Sequence, residues 1–118
     1  MLIDIHVHTC RMRPLAKALG RHFVEPATMI EMMDARGIDK AILLPIVSPE
    51  QMTHYITPEE AMETCAQYPE RLIPFCNIDP RMVGNRPDTD FRPILRFYKE
   101  AAFKGFGEFT ADLPFDDP

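Results

Sequence analysis

The chain is short of several things, and each shortage narrows its class. No apolar run approaches the ~20 residues that span a membrane. The N-terminus has no basic, then apolar, then small-residue export pattern, because Asp4 and His6 interrupt its first apolar stretch. There is no CxxC pair, and the three cysteines (Cys10, Cys65 and Cys76) are scattered and odd in number. Such a set suits reduced thiols better than a disulfide framework, so a cytoplasmic location is expected. Positive charge is scarce too, with 13 Lys and Arg against 18 Asp and Glu and a net charge of −5. A surface of that sign is not built to hold nucleic acid phosphates or anionic membrane, and neither is an expected partner. No glycine-rich phosphate loop follows the first apolar segment, which weighs against a flavodoxin-like small-molecule-binding domain.

What remains is a soluble α/β pattern. At 118 residues, 46% hydrophobic and 26% charged, the chain is long enough for one domain, 1–118, with a real core. Four apolar segments punctuate it: LIDIHVHT from Leu2, KAILLPIV from Lys40, RLIPFCNI from Arg71 and FKGFGEFT from Phe103. Their starts are 38, 31 and 32 residues apart, about one βαβ step each. Between them lie helix-period stretches. PATMIEMMDARG sets Met29, Ile30 and Met33 on one face, with Thr28 and Glu31 spaced as a capping box and Gly37 as a stop. TPEEAMETCAQY has Thr57 and Glu60 at capping-box spacing, Pro58 in the first turn, and a stripe of Ala61, Met62 and Cys65. DFRPILRFYKEAA places Phe91, Ile94, Leu95 and Tyr98 at i, i+3, i+4 and i+7. Strict alternation of strand and helix predicts about four parallel strands covered by helices. The second strand, apolar on both faces, fits burial on both sides.

Polar groups collect at the strand ends. Asp4, His6 and His8 alternate with Ile3, Ile5 and Val7, so the first strand has one polar and one aliphatic face. His6 and His8 end that strand, Asn77 and Asp79 end the third, and Glu108 and Thr110 end the fourth. The C-terminal edge of a parallel sheet is where ligands and catalytic groups gather.

The histidine pair points to a metal. Imidazoles two residues apart on a strand leave Cα atoms about 6.5–7 Å apart, close enough to converge on one ion. The plain alternative is a pair of ordinary histidines bonded to backbone or water. If the sheet face is covered, burying three polar side chains without partners costs several kcal/mol, and a divalent ion, zinc above all, answers that cost. Asp4, one step deeper, can support the site. Glu108 can ligate the same metal or stand as an exposed strand-end carboxylate; Gly105 and Gly107 beside it suggest a close backbone approach. Arg11 and Arg13 can clamp a substrate carboxylate or phosphate, or be solvated loop cations. Asn77 and Asp79 are candidate substrate contacts, although Asp79 before Pro80 also suits a turn start. His22 and His54 have no spacing partner. Cys10 reads as a packed thiol and the eight methionines as helix stripes.

LIDIHVHT resembles the first-strand metal motif of the amidohydrolase superfamily. DKAILLP, RLIPFCNIDPR and FKGFGEFTADLPFDDP resemble its amidohydrolase-2 branch of metal-dependent hydrolases and decarboxylases, in order along the whole chain. The resemblance implies the N-terminal half of a (β/α)8 barrel with a divalent metal, usually zinc, at the C-terminal mouth. His6 and His8 match the HxH ligands, and Glu108 is similar to a fourth-strand glutamate that ligates metal in some relatives. The implied reaction is metal-assisted hydrolysis of a C–N or C–O bond in a small organic substrate, or decarboxylation of a small organic acid. A full barrel takes about 250 residues. The family's later histidines and its acid/base aspartate would lie beyond residue 118. The expectation is thus either the front half of a longer protein or a non-catalytic half-barrel that pairs with another chain, a copy of itself included. An open half exposes two strand edges and its interior face.

Overall fold

The computed structural model describes residues 1–114 and 116. Phe115, Asp117 and Pro118, at the end of the LPFDDP stretch, lie outside the described residues. The elements alternate as expected: β1 (Ile3–Val7), α1 (Pro14–Ala18), α2 (Pro26–Asp34), β2 (Lys40–Leu43), α3 (Pro58–Gln67), β3 (Leu72–Cys76), α4 (Arg92–Glu100) and β4 (Gly105–Phe106). Short 3-10 turns occupy Pro49–Gln51 and Pro80–Val83. The four strands form one sheet in the order β1-β2-β3-β4, every neighbouring pair parallel. The chain is an α/β half of a TIM-type barrel. No described helix is long and apolar enough to cross a membrane.

One face of the sheet is packed. Val7, Ala41, Leu43 and Leu72 meet Met29 and Met33 of α2 and Ala61 and Cys65 of α3 in one buried cluster. A second cluster joins Cys76 and Ile78 to Tyr98 of α4, with Phe91, Ile94 and Phe103 against it. The α4 stripe is narrower than its spacing predicts, for Leu95 stays 41% exposed.

Helix starts divide the two expected capping boxes. Thr57 caps α3, its hydroxyl accepting from Glu60 N at 3.1 Å, while the Glu60 carboxylate turns away to Arg13. Loss of such a cap costs about 1 kcal/mol. The Thr28 and Glu31 box does not form. Pro26 opens α2 with Glu25 in the capping position, so Thr28 already lies inside the helix. Proline suits that first position because its missing N–H has no partner there anyway.

The aliphatic face of β1 is less covered than its pattern predicts. Val7 is buried, but Ile5 is 72% exposed and Ile3 is at the surface. β1 lies at the sheet edge, and its register to β2 shifts between Asp4 and Val7: Ile3 pairs with Lys40 but Val7 with the buried Leu43, so Ile3 and Val7 do not share one covered face.

β4 is reduced to two residues, and β3 shows why. Pro74 accepts from Lys104 N at 2.9 Å but has no N–H to return. Gly105, opposite Phe75 in the register, lies where a Cβ would come 2.3 Å from the Phe75 ring. The glycine in this strand thus serves a close approach.

Candidate metal centre

His6 and His8 leave the end of β1 on the face opposite Val7, and Glu108 comes to them from the exit of β4. The two Nε2 atoms are 3.1 Å apart. Glu108 Oε2 is 2.8 Å from His6 Nε2 and 3.4 Å from His8 Nε2. These three donor atoms lie within 4.8 Å of one another.

The His8 ring is oriented from behind. Its Nδ1 is 3.0 Å from the Leu44 carbonyl oxygen, which can only accept, so Nδ1 carries the proton and Nε2 of the neutral ring presents a lone pair. The Phe23 ring lies against it, centroids 5.2 Å apart, and His54 stands beyond Phe23 at 5.8 Å. Burial pushes the His8 pKa below its ordinary value, against the opposing pull of the Leu44 carbonyl. A neutral imidazole with one nitrogen held by a carbonyl is the form that binds metal.

The donor set fits a divalent ion. A circle through the three atoms has a radius of about 1.8 Å, less than the ~2.0–2.1 Å at which zinc binds imidazole nitrogen or carboxylate oxygen. One ion can therefore reach all three at normal distances, and two imidazoles with a carboxylate suit zinc.

The burial expected of the polar face is only partly met. The His8 side chain is 16% exposed, but His6 is 54% exposed and Glu108 37%. Among the described residues, no element roofs this face of the sheet. Asp4 does not reach an imidazole through a hydrogen bond; its carboxylate accepts from His6 N at 3.0 Å, where the β1–β2 register shifts.

The three candidate substrate contacts have other occupations. Arg11 lines a depression beside Thr57, Glu59, Glu60 and Glu63, an acidic setting unsuited to clamping an anion. Asp79 is buried and both its oxygens engage Arg81, at 2.8 and 2.6 Å, so it acts as an ion-pair partner and turn cap. Asn77 is fully buried, its Nδ2 donating to the carbonyls of Pro45, at 3.4 Å, and Glu108. Arg13 pairs with Glu60, donates to the Tyr55 carbonyl and lies over the Tyr55 ring.

Two features were missed in the sequence. Arg81 binds Glu50 through both carboxylate oxygens at 2.8 Å, Asp79, and the Ala111 carbonyl at 2.9 Å. It thereby ties together the loops after β2, β3 and β4. The Leu44 carbonyl behind His8 is the other. A backbone acceptor leaves no mark in sequence, and only the Asp79 partner of Arg81 is local; Glu50 and Ala111 lie 31 and 30 residues away.

No protein-family model matches the sequence, and no curated protein matches it. Among solved structures, the fold is similar to a probable 2-pyrone-4,6-dicarboxylic acid hydrolase from Acinetobacter baumannii, crystallised with citric acid bound. The TM-score is 0.53 at 15% identity over 89% of this chain. The chain spans 36% of the length of that structure. At this identity the likeness establishes the shared architecture, part of a (β/α) barrel.

Proposed function

We propose that the chain carries part of the active site of a metal-dependent hydrolase of amidohydrolase type, with His6, His8 and Glu108 holding one divalent cation, zinc first. The observation that carries this reading is the convergence of His6 Nε2, His8 Nε2 and Glu108 Oε2 within 3.4 Å at the C-terminal edge of a parallel sheet. A cation held there supplies Lewis acidity, polarising a carbonyl oxygen and acidifying water. The chain's residues prepare for it. Leu44 fixes the His8 tautomer, Phe23 packs the ring, and Glu108 supplies a negative charge that favours cation over anion at the mouth. A cavity of about 460 Å³ between the loops after β2 and β3 is lined by Val47, Met52, Tyr55 and Met82 and by the Asp79–Arg81 pair; its lining does not include His6, His8 or Glu108. The solved neighbour is described as a hydrolase, which favours C–O or C–N cleavage over decarboxylation. The open face and the edges of β1 and β4 call for further strands, from a longer chain or a second copy, to complete the catalytic groups.

The test is metal content per chain, by elemental analysis of the purified protein beside a His6→Ala/His8→Ala variant. Stoichiometric zinc in the first and none in the second supports the reading. A protein that takes up no divalent metal, or a variant that retains it, overturns it.

A further inference from the structure

Glu108 reaches the histidines from a strand that has nearly run out of backbone pairing. β4 is two residues long, and its last ladder bond is Gly107 N to Cys76 O at 2.8 Å. Gly107 itself adopts φ +143°, a conformation that side chains disfavour. At the next residue the Asn77 side chain takes the place of a ladder donor. Its Nδ2 donates to the Glu108 carbonyl, and also faces the Pro45 carbonyl at 3.4 Å. Both neighbours are acceptors, so the amide nitrogen must point this way. One fully buried amide thus joins the exits of β2, β3 and β4.

The Asn77 Oδ1 is buried with no hydrogen-bond partner among the described residues, and an apolar residue of the same volume would remove that acceptor. It would also take away the donor that the Pro45 and Glu108 carbonyls share. What an asparagine supplies at this position is therefore its Nδ2, the group that ties the exit of β4 to those of β2 and β3.

We propose that Asn77 is a positioning residue: by anchoring the Glu108 backbone it sets the Glu108 carboxylate against His6 and His8. This deepens the metal reading above and rests on it for its metal-binding test. Outer partners of this kind typically change metal affinity by about 10- to 100-fold.

The experiment compares wild type, Asn77→Ala and the volume-conserving Asn77→Leu, each alone and combined with Glu108→Ala. Co(II) affinity is measured by titration, and amide hydrogen exchange is measured without metal. The expected result is about 10- to 100-fold weaker Co(II) binding in either Asn77 variant, with the double variants no weaker than Glu108→Ala alone. Exchange at 107–110 speeds up while β1 and β2 keep their protection. Unchanged affinity, losses that multiply with Glu108→Ala, or unchanged exchange at 107–110 would overturn the proposal. A wild type that binds no Co(II) counts against the metal reading, and the exchange comparison then decides the role of Asn77 by itself.

Discussion

His8 Nδ1 and the Leu44 carbonyl oxygen, on neighbouring strand exits, are 3.0 Å apart, and that contact turns the other nitrogen of the ring toward Glu108. It sets the protonation pattern of the site before any ligand arrives. In the metal-free protein at neutral pH, His8 is expected as the tautomer with the proton on Nδ1. Nitrogen-15 chemical shifts of the imidazoles check this directly. A proton on Nε2 would mean that the ring is not preset as a ligand.

The contact between Gly105 and Phe75 gives a stability test. A Cβ at position 105 meets the Phe75 ring at 2.3 Å, so Gly105→Ala must displace the ring. The expected cost is about 1–3 kcal/mol. In a Phe75→Leu background the same substitution should cost less, by about 0.5 kcal/mol or more. Urea unfolding of the four proteins reads the difference, and strict additivity would show that the ring is not what Gly105 accommodates.

Arg81 should contribute to stability against acid through its two carboxylate partners. It is the first cause holding the Glu50 carboxyl at about 2, down from 4.5, with Ser48 second, and it holds Asp79 below 3.8. Both carboxyls have lower pKa values folded than unfolded, so the unfolded chain binds protons more tightly. Their stabilisation is complete above their unfolded values and is lost as pH falls through the folded ones. In Arg81→Met both groups return toward ordinary values. The variant should be less stable than wild type near pH 7, and the gap should shrink by about pH 3. Urea midpoints at the two pH values measure it, and a constant gap would contradict the pairing.

The thiols should be inert in the folded state. Cys10, Cys65 and Cys76 are all buried, and burial raises each pKa, that of Cys65 to about 12. Thiolate is the reacting form, so little is available at neutral pH. A disulfide reagent should label the native protein slowly and all three cysteines rapidly once it is unfolded. A fast-reacting native thiol would contradict this packing.

Much of this was legible in local pattern. Period-2 alternation in LIDIHVHT placed His6 and His8 on one face, and the strand and helix spacings led to the parallel order. Thr57 could be read as a cap because capping is local in sequence, whereas Thr28 had the same spacing and lost the start of its helix to Pro26. The orientation of Glu108 was not readable across two glycines, because its aim depends on Asn77 and on Gly107 leaving the strand. Arg81 is hard to read in the sequence for a similar reason: Asp79 is a local partner, but Glu50 belongs to another loop. The exposure of Ile5 goes with β1 lying at a sheet edge and with the β1–β2 register shift between Asp4 and Val7, and that of His6 with a face no described element roofs; hydrophobic alternation registers none of these.

The most direct test of the metal assignment is X-ray absorption at the zinc edge of the zinc-loaded protein. The expected first shell is nitrogen and oxygen at about 2.0–2.1 Å, with the outer-shell scattering of two imidazoles, reduced to one in His6→Ala and in His8→Ala. A first shell without imidazole scattering, or one unchanged by either substitution, would show that zinc binds elsewhere and that these histidines are not its ligands.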